Sequence, residues 1–433
     1  MQYKNVFGSY VPAYLLIKLR TTDPLHHINK IDVRDQRDFV HEYTHFLQDI
    51  TGGFGHSHIW NTYDRLRQVI AGQQKDGNTE LHLPVKNAVT EHERNITEVM
   101  KAIEGSYRVG TGIDDATAFV EGCNFYIEPS FKKLHPRKGP PFFLNLHLKD
   151  VKGRKANYLF GEAAVSEMMA YLIETKYFGE SALNNFPYKV CQKVGEYLET
   201  DLVENNEWLF ALCDVAMISN YPGMMFYRIL QNMARRKFVP QSAEEIYDYG
   251  ISYMYSQGWS VFEDFRDNKN GAIKVLEDLF RSDFLKNTVE WFKHLLEKGY
   301  ESRVKKPSFL IDLYRQPNPF EGFWNDMYVI FGTPQLHNGE LQRFFAPPHC
   351  MKHLESTIEP LFLLSAQQVH DTLLHKKSNC DMLECCRQST IDIEVDYDCT
   401  TAPWERSNKD KACAYTALWV SYGLHNKQVL VAE

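Results

Sequence analysis

Residues 39 to 53 read FVHEYTHFLQDITGG, and this stretch limits the fold more than any other. Phe39, Tyr43, Phe46 and Ile50 fall at i, i+4, i+7 and i+11, the spacing of one buried helix face. Thr51, Gly52 and Gly53 supply a stop. The pattern predicts a helix that begins near Asp32 or Arg34 and runs to Ile50. Inside it His41 and His45 are four apart, so their side chains stack on one face. Glu42 lies about 100° round from His41. Each of these polar groups needs a partner to offset the cost of burial.

The rest of the sequence supplies the core that such a helix needs. The 433 residues are 44% hydrophobic and carry 27 Phe, 24 Tyr and 7 Trp, which argues for a folded chain of two or three structural units. The net charge of −8 is mild. Lys and Arg form only short clusters, 303–306 and 234–237, and no phosphate-tracking stripe, so nucleic acid is not expected as a partner. The apolar run from Val11 to Ile17 is too short to span a bilayer, and no other run reaches the roughly 18 residues required. Without a leader-like segment and with nine cysteines, the expectation is a cytoplasmic protein with reduced thiols and no membrane association.

Periodicity along the chain predicts a strand at 13–19, a second helix at about 57–72 and a third from Thr90 to Ile103. Residues 141–160 read as a β-hairpin that turns at Lys152-Gly153-Arg154. It feeds a helix at 161–179 closed by Gly179. Residues 182–300 look almost wholly helical, 315–323 and 344–350 break periodicity, and a helix at about 353–375 precedes an irregular Cys-bearing segment. The fold class is α+β with helices dominant. Three regions are expected, 1–180, 181–345 and 346–433.

His41, Glu42 and His45 form an H-E-x-x-H pattern, in which two imidazoles on one helix face bind Zn²⁺ and the Glu serves as general base. The competing reading is a pair of hydrogen-bonded core histidines. Position in a long, half-buried helix favours zinc. A catalytic zinc needs a third protein ligand. The extended motif with a further Gly and His is excluded, because Gln48 and Thr51 occupy those places. His56 and His58 follow closely, and Cys123 is a weaker candidate. Glu167 is the strongest: Ala163, Ala164, Ala170 and Tyr171 share its helix face, where another helix can approach closely. Buried there without a cation its carboxylate would be costly, and the competing reading is an acid bonded to backbone or to Arg. Glu162 opens the helix, where the macrodipole already accounts for an acid, and Glu174 lies two turns further along.

HEYTHFLQ, followed by a helix carrying Glu167-Met168-Met169-Ala170, resembles the gluzincin-type zinc metallopeptidases over about residues 10–180. In that family the third ligand is a Glu on a later helix, often with Ala three residues on. The resemblance implies a zincin-like core made of a small sheet, the H-E-x-x-H helix and the Glu-bearing helix. It implies hydrolysis of a protein or peptide substrate by metal-activated water with Glu42 as base. Substrate would lie as an added strand along a sheet edge, for which 13–19 is the expected strand. The thermolysin-like Asp four residues past the ligand Glu is replaced by Tyr171, and Asp49 is a stand-in for orienting a histidine. Tyr171, Tyr126 and His135 are candidate donors to a developing oxyanion.

Six of the nine cysteines lie between 350 and 433. Cys380, Cys385 or Cys386, Cys399 and Cys413 supply four thiols for a possible structural zinc, although no C-x-x-C pair is present. The spacing leaves reduced, partly buried thiols as the competing outcome. Two other functions fit the same motif: a non-catalytic or latent zinc-binding sensory or interaction protein on a zincin-like scaffold, and a hydrolase acting on something other than peptides.

Overall fold

Asp32 fixes the start of the central helix. Its carboxylate accepts a hydrogen bond from the Arg34 amide at 2.8 Å, satisfying one of the donors a helix start leaves open. The helix, α1 (Val33–Thr51), ends where Gly52 becomes extended, and α2 (Gly53–Gln74) departs at once. Phe39, Tyr43, Phe46 and Ile50 are all at most 1% exposed, so the apolar stripe faces the core as its spacing predicts. The second helix starts four residues earlier than expected.

The computed structural model describes residues 8–74, 79–85, 90–110, 112–134, 141–180, 185–339, 343–354, 358–375, 379–387, 395–409 and 413–431. The architecture is α+β with helices dominant. Ahead of α1, β1 (Gly8–Val11) and β2 (Leu16–Leu19) form an antiparallel hairpin. After α2 come β3 (Glu80–Leu83), α3 (Glu91–Glu104), β4 (Phe119–Tyr126) and α4 (Pro129–Leu134). The hairpin β5 (Phe143–Lys149) and β6 (Lys155–Phe160) leads into α5 (Glu162–Phe178), closed by Gly179 at φ +79°. Helices α6 (Val190–Tyr197), α7 (Asn206–Met217), α8 (Pro222–Arg236), α9 (Ala243–Ser256), α10 (Val261–Leu279) and α11 (Lys286–Lys305) fill the predicted helical stretch.

The remainder comprises α12 (Ile311–Arg315), α13 (Phe323–Phe331), β7 (Gln335–His337), β8 (Arg343–Phe344) and α14 (Ile358–His375). Short helices α15 (Leu383–Arg387) and α16 (Asp398–Thr401) follow, then α17 (Ala414–Ser421) and β9 (Gln428–Val431).

Among the described residues three small sheets result, in the orders β1-β2-β7-β8, β3-β9 and β4-β5-β6. The first two join distant parts of the chain: β7 pairs parallel with β2, and β9 parallel with β3. The expected divisions near 180 and 345 are therefore crossed by sheets, and by one hydrophobic cluster that includes Leu15, Trp291 and Trp419. The expected strand at 13–19 is shortened to 16–19. Ala13 and Leu15 take φ of +63° and +50° because the turn is tied to α1 and α2: the Ala13 amide donates to Asp49 at 3.2 Å, and its carbonyl accepts from the Tyr63 hydroxyl at 3.0 Å.

The helix α1 is wedged between α5 and α11. Gly299 allows the second approach, since a Cβ there would stand 1.7 Å from the Ile50 carbonyl oxygen. Beside it Arg303, fully buried, donates to the Thr51 carbonyl at 3.0 Å and to both oxygens of buried Asp214, at 2.7 and 2.5 Å. The C-terminal end of α1 is thus held by a guanidinium whose charge is matched inside the core.

Candidate metal centre

The helices α1 and α5 bring together the three residues that the sequence singles out as ligands. Nε2 of His41 lies 3.2 Å from Nε2 of His45 and 3.2 Å from Oε2 of Glu167. The third edge, His45 Nε2 to Glu167 Oε2, is 3.6 Å. Among the described residues this is the sole group of three or more His, Cys, Asp or Glu whose ligand atoms all fall within 4.8 Å. The small residues around Glu167 permit the approach: Ala163, Ala164 and Ala170 are fully buried. The three side chains themselves remain 10%, 14% and 16% exposed, so the site is reached from solvent.

The hydrogen bonds behind these rings decide which atoms face the centre. The Ser166 carbonyl can only accept, so the Gln48 amide nitrogen donates to it at 3.0 Å. Gln48 Oε1 is then the atom 2.8 Å from His45 Nδ1, which must carry the proton. On the other ring, His41 Nδ1 stands 3.0 Å from Glu174 Oε2 and donates to it. Both neutral rings are left with a lone pair on Nε2, and the two lone pairs point at each other and at a carboxylate oxygen. Three electron-rich atoms in mutual contact require a positive charge among them. The chemistry of the donor set fits zinc, whose bonds of about 2.0–2.1 Å to nitrogen and oxygen give tetrahedral edges of about 3.3 Å.

Electrostatics express the same demand. Burial pushes the His41 pKa down, but hydrogen bonds to Glu167 and Glu174 outweigh it and raise it well above the usual imidazole range. Burial would raise Glu167, yet the charges of His45 and His41 and their hydrogen bonds hold it well below the carboxylate range. Glu42 is raised by burial, opposed by His41 and His45. It is 7% exposed and packs beneath β1, where a Cβ on Gly8 would lie 3.2 Å from its Oε1. A backbone hydrogen bond from Tyr10 steadies it.

The other expected residues are placed elsewhere. Asp49 does not orient a histidine: it accepts from the Tyr10 hydroxyl at 2.9 Å and from the Ala13 amide, pinning the hairpin to α1. Glu162 lies outside the three-residue group and is pushed up to about 8 by burial and by Glu104. His56 is buried on the Ile50 carbonyl, and His58 stacks on Phe54. Cys123 Sγ contacts the Tyr227 hydroxyl at 3.5 Å. Tyr126 packs on Phe143, and Tyr171 is 4% exposed against Tyr188, while His135 lies outside the described residues. The strand β2 is flanked on both sides by β1 and β7, so the sheet edge beside Glu42 is β1 instead.

Sequence reasoning missed the roles of Gln48 and Glu174. Their signal was spacing alone, three past His45 and seven past Glu167. Arg37 completes the arrangement, with Nε 3.3 Å from Glu174 Oε1 and Nη2 donating to the Phe178 and Gly179 carbonyls at 2.8 and 2.6 Å. It also missed Tyr107, in the loop after α3, whose hydroxyl bonds Glu104 and senses the charges of Glu162 and Glu167.

Four thiols expected to gather in the C-terminal segment, Cys380, Cys386, Cys399 and Cys413, line one cavity. No three of their sulfurs lie within 4.8 Å of one another. Among the described residues no helix is long and apolar enough to cross a membrane. Comparison with protein-family models, with curated proteins and with solved structures finds no match to this chain.

Proposed function

We propose that this chain is a zinc-dependent metallopeptidase of the gluzincin type, with His41, His45 and Glu167 as metal ligands and Glu42 as general base. The observation that carries the reading is the convergence of two imidazole lone pairs and one carboxylate oxygen within 3.6 Å, with an unused buried carboxylate on the next residue. Zinc bound there supplies a Lewis acid that activates water and polarises a scissile carbonyl.

The protein's own groups do the remaining work. Glu42, lifted by burial, is a stronger base than an exposed carboxylate, which suits it to take a proton from the attacking water and return it to the leaving amine. Glu174 and Gln48 hold both rings with Nε2 inward, which removes any reorientation before reaction. The outer edge of β1, against Glu42, offers backbone groups to an extended peptide. No disulfide joins the eight described cysteines, in keeping with an intracellular setting.

The test is peptide-library cleavage by the zinc-loaded protein, read by mass spectrometry, beside Glu42→Gln. The expected result is cleavage by the parent chain, and a loss of about 10²- to 10⁴-fold in the variant at unchanged zinc content. A zinc-loaded parent that cleaves no peptide, or a Glu42→Gln variant of equal activity, overturns the reading. The latent, sensory alternative predicts the first of those outcomes, but leaves the buried Glu42 without a task.

A further inference from the structure

The described residues of 379–409 carry only short helical turns. The helices α15 and α16 have five and four residues, too short to be stable by themselves. The Cys380 amide donates to the Cys399 carbonyl at 2.9 Å, tying the approach of α15 to α16. What they enclose is a cavity of about 30 Å³, which exceeds the roughly 10–15 Å³ that one small solvent-sized guest requires. Cys380 comes from the approach to α15, Cys386 from α15 itself, Cys399 from α16 and Cys413 from the cap of α17. All four line this cavity, whose other walls include Leu361, Met382 and Tyr415.

Arg406 lines it too. The residue is 1% exposed, and its Nη1 donates to Asp396 at 2.6 Å. Its Nε and Nη2 are buried without a hydrogen-bond partner among the described residues. Lys409 holds the same Asp396 oxygen at 2.6 Å and a second carboxylate, Asp398, at 2.5 Å, so the charges are matched and the two open donors are what remains unmet. A guanidinium with two open donors, buried beside four sulfurs, is costly as long as those sulfurs are neutral thiols, which are weak acceptors. Four thiolates around one Zn²⁺ leave a net charge of −2 and strong acceptor sulfurs, the environment those donors lack.

We propose that Cys380, Cys386, Cys399 and Cys413 form a closed structural zinc site, with Arg406 balancing its charge. Four cysteines give up their protons and share one Zn²⁺; nothing is oxidised. The sulfurs stand further apart than a Zn(Cys)₄ site holds them, with Zn–S bonds of about 2.3 Å, so binding draws them inward and couples metal uptake to folding of the segment. The site is separate from the His41 centre and stands whether or not that centre is catalytic.

The experiment uses the full chain carrying His41→Ala and His45→Ala, so that the first centre contributes no signal. This background is expected to retain zinc by elemental analysis and, with Co²⁺ in place of zinc, to show sulfur-to-cobalt charge-transfer absorption. Cys399→Ser added to it should abolish both. A second measurement does not depend on the folding of that variant: the parent chain is alkylated before and after chelation and mapped by mass spectrometry. The four cysteines should be protected until metal is removed. Arg406→Leu should weaken zinc binding about 10- to 100-fold. Absence of zinc and of the cobalt band, free alkylation before chelation, or a disulfide among the four overturns the site. Unchanged affinity in Arg406→Leu overturns the role given to Arg406.

Discussion

Nδ1 of His41 stands 3.0 Å from Oε2 of Glu174, while Nε2 of the same ring faces Glu167 at 3.2 Å. One face of α5 thus grips both sides of one imidazole, from positions two turns apart. The inner carboxylate is placed to share a cation, and the outer one fixes the tautomer that leaves Nε2 free to bind it. Glu174→Ala should therefore weaken zinc binding about 10- to 100-fold, measured against a competing fluorescent chelator. Glu174→Gln keeps an acceptor oxygen and should lose less. Equal affinity in all three proteins would remove Glu174 from the site.

Gly299 offers a test of how α1 is held. In the middle of an exposed helix, Gly to Ala stabilises by roughly 1 kcal/mol. Here the added methyl meets the Ile50 carbonyl oxygen at 1.7 Å, so the sign should reverse. Gly299→Ala should lower the urea midpoint and, by displacing α11 from α1, weaken metal binding as well. A variant more stable than the parent would mean that the two helices do not pack this closely.

Acid should unfold the protein partly through His56. Burial holds its pKa down, at about 3 rather than the ordinary 6.5, with Nε2 donating to the Ile50 carbonyl at 2.8 Å. The unfolded chain takes up a proton below pH 6.5 that the folded chain refuses until about pH 3. Stability from this group is complete above the unfolded value and falls across that window by up to about 1.4 kcal/mol per pH unit. His56→Gln keeps a donor for Ile50 and removes the titration. Urea midpoints at neutral pH and near pH 5 should then differ less in the variant than in the parent. Metal release by acid is common to both and cancels in the difference.

Much of this centre is legible in the sequence. The stripe of Phe39, Tyr43, Phe46 and Ile50 fixes which side of α1 is buried, and that places His41 and His45 on a face that meets another helix. The alanines around Glu167 mark it as the strongest candidate among the acids of the 161–179 helix for a close approach by that face. The supporting residues were not legible, because local spacing cannot distinguish the partners available to a ring nitrogen. Asp49, Glu162 and Glu174 are all acids within reach on sequence grounds, and only the mutual placement of α1 and α5 selects Glu174. Gln48 was hidden by its ordinary character.

The sheets were less readable still. Residues 8–11 are too short and mixed to announce a strand, and Ala13 and Leu15 conceal a turn inside an apolar run. Pairing of β2 with β7 joins residues more than 300 apart, a relation that no local pattern contains. The same distance explains why the three expected regions share sheets and one core.

Anomalous X-ray scattering at the zinc edge, from crystals of the zinc-loaded full chain, tests the central claim most directly. It should place an ion between Nε2 of His41, Nε2 of His45 and Oε2 of Glu167, and Glu167→Ala should diminish or remove that peak. A parent crystal with scattering at other groups, and none among these three atoms, would contradict it.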